Sequence, residues 1–165
     1  MRTLVVYYSQ ARGNTKQIAD MIANGTGFDA VRIDTQVPYT GTYEEIVDQG
    51  QKEVERGFKP ELKAVKMDIS DYDCFIIMTP TWWYTMAPAV LTFLTENDFS
   101  GKHIILIQTH GGWPGHVMKD MKAALTGAIV DKEYAVQFDS TGGDQLVTDE
   151  SDIKAWIMGL TEEAE

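Results

Sequence analysis

Five short apolar runs alternate with five stretches of helical spacing along this 165-residue chain, and that alternation restricts the fold more than any other feature. Runs suited to strands buried on both faces stand at Leu4 to Tyr8, Ala30 to Ile33, Cys74 to Met78, His103 to Ile107 and, less cleanly, Tyr134 to Phe138. Between them, Ile18 and Ala19 repeat at i+4 in Ile22 and Ala23. Tyr43, Ile46, Val47 and Val54 form a second stripe, and Val90, Phe93 and Leu94 a third. Val117, Met121 and Leu125 form a fourth, and Ile153, Trp156, Ile157 and Leu160 complete an i, i+3, i+4, i+7 pattern. Strands and helices in strict alternation require parallel pairing through right-handed crossovers, which predicts an α/β three-layer sandwich around a five-stranded parallel sheet. A chain of this length buries a core without covalent staples, so a single domain over residues 1–165 is expected.

In such a sheet, ligands sit beyond the carboxyl ends of the strands, and three loops there carry the chemistry. After the first strand comes Ser9-Gln10-Ala11-Arg12-Gly13-Asn14-Thr15, leading into a helix. Its hydroxyls, the Asn14 amide, successive backbone N–H groups and the positive end of the helix dipole suit a phosphate, and Arg12 adds a charge. The same residues also suit an ordinary turn capped by Asn14 or Thr15. Neither the Gly-Lys-Ser/Thr of a nucleotide-triphosphate loop nor Gly-x-Gly-x-x-Gly is present.

The second loop, Thr79 to Pro88, holds Pro80, Thr81 and three consecutive large aromatics, Trp82, Trp83 and Tyr84. Exposed together they form an apolar patch that a planar aromatic ligand would cover, at about 0.5–1.5 kcal/mol per stacked pair beyond burial. Capping the core, or contacting a second copy of the chain, are the other uses of such side chains. The third loop runs Thr109-His110-Gly111-Gly112-Trp113-Pro114-Gly115-His116, with glycines that let backbone approach a ligand. Its two histidines lack the spacing of a metal site and are read as hydrogen-bonding groups. Tyr39, Thr40 and Tyr43 follow the second strand and stand at the same edge.

Charge narrows the partners. With 14 Lys and Arg against 25 Asp and Glu, the formal net charge of −11 argues against nucleic acid and anionic membranes and favours a basic protein partner, although solubility alone also accounts for acidity. No stretch has the length of a membrane span and the first residues lack a cleavage signature, so a cytoplasmic protein without membrane insertion is expected. Cys74 has no cysteine partner in the chain and is expected as core filler.

Taken together, Tyr8 to Thr15, Pro80 to Pro88, Phe99-Ser100-Gly101-Lys102 and Thr109-His110-Gly111-Gly112 resemble the flavodoxin family over nearly the whole chain, in its short-chain form. The resemblance implies the flavodoxin-like strand order 2-1-3-4-5 and FMN as cofactor. The phosphate would then lie on Ser9, Gln10, Arg12, Gly13, Asn14 and Thr15. Pro80, Thr81, Trp82, Trp83 and Tyr84 would contact the ring system, and Thr109, His110, Gly111 and Gly112 its pyrimidine or ribityl side. The first loop is one residue longer than the family pattern, and Tyr84 stands where glycine is usual, which raises the cost of a peptide flip there by roughly 1–2 kcal/mol.

Two redox readings follow from the resemblance: transfer of electrons to or from a redox protein partner, or NAD(P)H-dependent two-electron reduction of quinones or similar acceptors. Acidity favours the first and Tyr84 the second. Trp113 equally suits a homodimer contact. A receiver domain shares the architecture but needs acidic residues where this chain has Ser9, Gln10 and Thr79; a flavin-bound sensor is the remaining class.

Overall fold

A computed structural model describes residues 2–10 and 13–164. The sheet is formed by β1 (Thr3–Tyr7), β2 (Asp29–Arg32), β3 (Cys74–Trp82), β5 (His103–His110) and β6 (Ile129–Gln137), all parallel, with a two-residue strand β4 (Thr85–Met86). Its order is β2-β1-β3-β5-β6. Counting the parallel strands alone, this is the expected 2-1-3-4-5. The addition is β4, which folds back antiparallel on the end of β3 through Thr81 opposite Met86 and Trp82 opposite Thr85.

Alternating side chains of the central strands feed two cores. Leu4 and Val6 of β1, with Phe75, Ile77, Ile104 and Leu106, face α3 (Pro88–Glu96) and α4 (Val117–Ala124), contributing with Val90, Phe93 and Met121 to one cluster. Val5 and Tyr7, with Ile76, Met78, Ile105 and Ile107, face α1 (Asn14–Thr26) and α5 (Glu150–Ala164) through Ile18, Ile22, Ile153 and Ile157. Burial on both faces explains the unbroken apolar runs. Cys74 sits buried at the start of β3, where burial pushes its thiol pKa up. The helix α2 (Tyr43–Glu55) is capped by Thr42, whose hydroxyl accepts from the Glu45 amide at 3.2 Å. Among the described residues no helix is long and apolar enough to cross a membrane.

Two boundaries differ from the sequence expectation. Strand β3 continues four residues past Met78, and β5 three past Ile107, so Thr79 to Trp82 and Thr109 to His110 are strand residues and not loop. Thr79 pairs with Gln108 and Pro80 with Thr109, so the ladder outlasts the apolar run that marks it. The last strand is also longer than its clean apolar part: Ile129 to Gln137 alternates exposed and half-buried positions with charges at Asp131, Lys132 and Glu133. That is how an edge strand avoids pairing with another chain.

Candidate functional site

The carboxyl edge of the sheet opens into a cleft of about 560 Å³, within the usual range for small-molecule sites. One end is formed by the start of α1. Gly13 holds the position before the helix in the left-handed region (φ 75°), which glycine adopts without strain, and it offers no side chain to cap the helix amides. No acidic residue stands in the first turn. Buried Ser9 accepts from the Lys16 amide at 3.2 Å, closing the loop on the helix from behind. Gln10, Asn14 and Thr15 line the cleft. Buried Thr15 Oγ1 lies 2.9 Å from Thr109 Oγ1, tying α1 to β5. Asn14 Nδ2 donates to the Gly143 carbonyl at 3.0 Å, leaving Asn14 Oδ1 buried with no partner among the described residues.

The other end is aromatic. Trp82, at the end of β3, receives Tyr8 and Tyr39 edge-on, with ring centroids 5.9 and 5.1 Å away. The two phenols are held by Gln10 and Glu53, and burial pushes both hydroxyl pKa values up. Gly50 in mid-helix admits this ring: a Cβ there would stand 3.3 Å from Trp82. Trp83 and Tyr84 form the two-residue connection between β3 and β4, both with positive φ (48° and 68°), as a type I′ hairpin requires. Neither is a residue such a turn favours. The conformation is secured from two sides: Trp83 Nε1 donates to the Val47 carbonyl of α2 at 2.9 Å, and the His116 amide donates to the Tyr84 carbonyl at 2.8 Å. Gly115 is required by the second contact, since a Cβ there would fall 2.3 Å from the Tyr84 carbonyl oxygen.

The floor is a polar network on β3 and β5. Thr81 donates to the Thr109 carbonyl at 2.9 Å, and Gln108 Nε2 donates to Thr81 Oγ1 and the Pro114 carbonyl. His110 Nδ1 accepts from the Gly112 amide at 3.0 Å, which fixes the neutral tautomer with its proton on Nε2, and burial lowers the imidazole pKa from 6.5. The carboxylate that sequence reading did not place near His116 is Asp120, one turn along α4: it pairs with His116 Nδ1 and accepts from Thr85 Oγ1 at 2.5 Å.

Of the residues the sequence singled out, the structure brings Gln10, Asn14, Thr15, Pro80, Thr81, Trp82, Trp83, Thr109, His110 and Gly111 together around the cleft. Ser9, Gly13, Tyr84 and Gly112 support its walls without lining it, and Arg12 lies outside the described residues. Tyr43, which sequence reading set at this edge, lines the cleft, but most of two walls escaped that reading: Ile46, Val47 and Gly50 supply a face of α2, and Phe138 to Gly143 supply the loop after β6. Asp139 organises that loop by accepting from Thr141, Gly143 and Gln145, which holds its carboxyl at about 2. The signal for it was the Asp-Ser-Thr-Gly-Gly string itself, a side-chain acceptor followed by hydroxyls and glycines.

A family model described as Flavodoxin matches residues 2–156. No curated protein sequence matches the chain. Among solved structures, the fold is similar to a protein described as a flavoprotein from Bacteroides eggerthii, at TM-score 0.78 and 24% identity over 96% of each chain. It is similar to a flavoprotein from Lactobacillus acidophilus solved in complex with FMN, at TM-score 0.72 and 19% identity over 81% of this chain and 92% of that one. A flavodoxin from Streptococcus pneumoniae matches at TM-score 0.56 and 19% identity over 99% of both chains.

Proposed function

The chain belongs to the flavodoxin family, and from that membership and the chemistry of the cleft we propose that it holds FMN there and passes electrons to or from a redox protein partner in the cytoplasm. The observation that carries this reading is the make-up of the cleft: an acid-free helix start entered through Gly13, and the indoles of Trp82 and Trp83. FMN has a dianionic phosphate, a hydroxylated chain and a flat aromatic ring in that sequence. Gln10, Asn14 and Thr15 with the first amides of α1 would hold the phosphate end. Asn14 Oδ1, buried without a donor, suits a ligand hydroxyl. Trp82 and Trp83 would wall the ring, and neutral His110, its proton on Nε2, would donate to a ring acceptor.

When bound, FMN supplies the redox chemistry; the chain needs no side-chain acid or base of its own. Trp82 and Trp83 exclude water from one side, and the Thr81–Gln108–Thr109 network keeps the floor from shifting. Around the mouth, Trp83, Tyr84 and Trp113 are exposed on a surface of net charge −11, which favours a basic partner.

The alternative, NAD(P)H-dependent two-electron reduction of quinones or similar acceptors, is favoured by one observation. The hairpin places Trp83 and Tyr84 in left-handed conformations, so turning the peptide between them over would convert type I′ to type II′ and put Trp83 where glycine is required. Stopped-flow mixing separates the two. Rapid, salt-sensitive reoxidation of the reduced protein by a basic redox protein, with slow bleaching by NADPH, supports the carrier. Fast bleaching by NADPH and transfer to quinone with no salt dependence would replace it with the reductase.

A further inference from the structure

On the FMN reading the start of α1 receives a dianion on a chain of net charge −11, and Arg32 stands beside it. Arg32 ends β2 and pairs in register with Tyr7, which places its guanidinium at the carboxyl edge beside the loop. Its Nη2 donates to the Ser9 carbonyl at 2.7 Å, and its Nε donates to Asp34 Oδ1 at 3.0 Å. Ser9 in turn accepts from the Lys16 amide in the first turn of α1. The cation is thus anchored to the loop on one side and held in place by Asp34 on the other. A guanidinium, planar and permanently charged, holds two such directions at once where a lysine would not.

We propose that Arg32 is a positioning residue for a phosphate-bearing ligand, holding Ser9 and raising the positive potential at the start of α1, and that Asp34 partly offsets that potential. The inference rests on the FMN reading and adds to it the source of discrimination between a phosphorylated and an unphosphorylated flavin. Since Arg32 and Asp34 are 39% and 42% exposed, their effect is open to salt screening.

The test uses FMN and riboflavin, which share the ring and differ in the phosphate, titrated into the apoprotein with flavin fluorescence as readout. Arg32→Gln should weaken FMN by roughly tenfold at low salt while riboflavin changes less than about twofold. Asp34→Asn should act in the opposite direction, tightening FMN by about threefold with riboflavin again unmoved. Arg32→Lys should restore part of the FMN affinity. A merely structural role would move both ligands alike, and would make both neutralising variants weaker. Equal losses for FMN and riboflavin in Arg32→Gln, or weaker FMN binding in Asp34→Asn, would overturn the proposal and leave the FMN reading standing. Wild-type protein that binds riboflavin and FMN equally also overturns it, and wild type that binds neither removes the FMN reading itself.

Discussion

Replacing Tyr84 by glycine should make this protein more stable, against the usual direction of large-to-glycine changes. Tyr84 has φ 68° and the residue is 55% exposed, so the substitution removes little buried surface. A non-glycine residue in the left-handed region carries about 1–2 kcal/mol of steric cost, and glycine's extra freedom in the unfolded chain returns about 0.4–1 kcal/mol of that. The net gain is about 0.5–1 kcal/mol. For a chain of this size it raises the midpoint of thermal unfolding by roughly 1–4 °C. The backbone contacts that secure the turn, His116 amide to Tyr84 carbonyl and the close pass of Gly115, do not involve the tyrosine ring and survive the change. The assay is thermal and urea unfolding of the apoprotein followed by circular dichroism, so that ligand affinity does not enter. Gly115→Ala is the control: its Cβ would collide with the Tyr84 carbonyl, so it should lose stability. A fall of several degrees for Tyr84→Gly would refute the reasoning, because it would mean that the ring contributes more than the turn costs.

Thr15→Val removes a hydroxyl from the helix start and strands Thr109 Oγ1, so FMN affinity should fall by about tenfold; an unchanged dissociation constant would take Thr15 out of the site. Trp83→Ala should alter both the absorption spectrum and the affinity of bound flavin, and unaltered values would place that ring elsewhere. Asp139, with its carboxyl held at about 2 by hydroxyl and amide donors, adds stability to its loop that is complete above the ordinary carboxyl value of about 4 and is lost as pH falls toward 2. The protection factors of the Gly143 and Gln145 amides, corrected for intrinsic exchange at each pH, should fall down that range, and Asp139→Asn should abolish the dependence. The His110 imidazole should titrate below 6.5 by NMR, with the Gly112 amide resonance following it, because protonation turns the Nδ1 acceptor into a donor.

The layered fold was legible because the central strands are buried on both faces, so Leu4 to Tyr7 and Cys74 to Met78 had to be apolar throughout. Their continuations were not, because Thr79 to Trp82 and Thr109 to His110 keep the hydrogen-bond ladder while serving the cleft, and polar strand ends read as loop. The hairpin was hidden for a different reason. A type I′ turn announces itself by Asn-Gly or similar pairs, and Trp83-Tyr84 adopts it only under contacts from α2 and α4 that are 36 and 32 residues away in sequence. Beyond Tyr43 the α2 wall was invisible, because Ile46 and Val47 form part of an amphipathic stripe whose ordinary use is core packing, and only the tertiary position of α2 turns it toward a ligand. Arg32 carried no signal at all: one cation at the end of an edge strand has no local pattern.

The double attachment of the Trp83–Tyr84 hairpin also bears on how a ligand would arrive. A wall fastened to α2 and α4 during folding has its side-chain order established in advance, so association need not freeze it a second time. The entropy of assembling the aromatic end belongs to the folding of the chain, and encounter with a flat ring meets a slot already cut to receive it. Calorimetry would register this as a heat-capacity change accounted for by buried ring area alone, without the larger decrement of a loop that orders on binding.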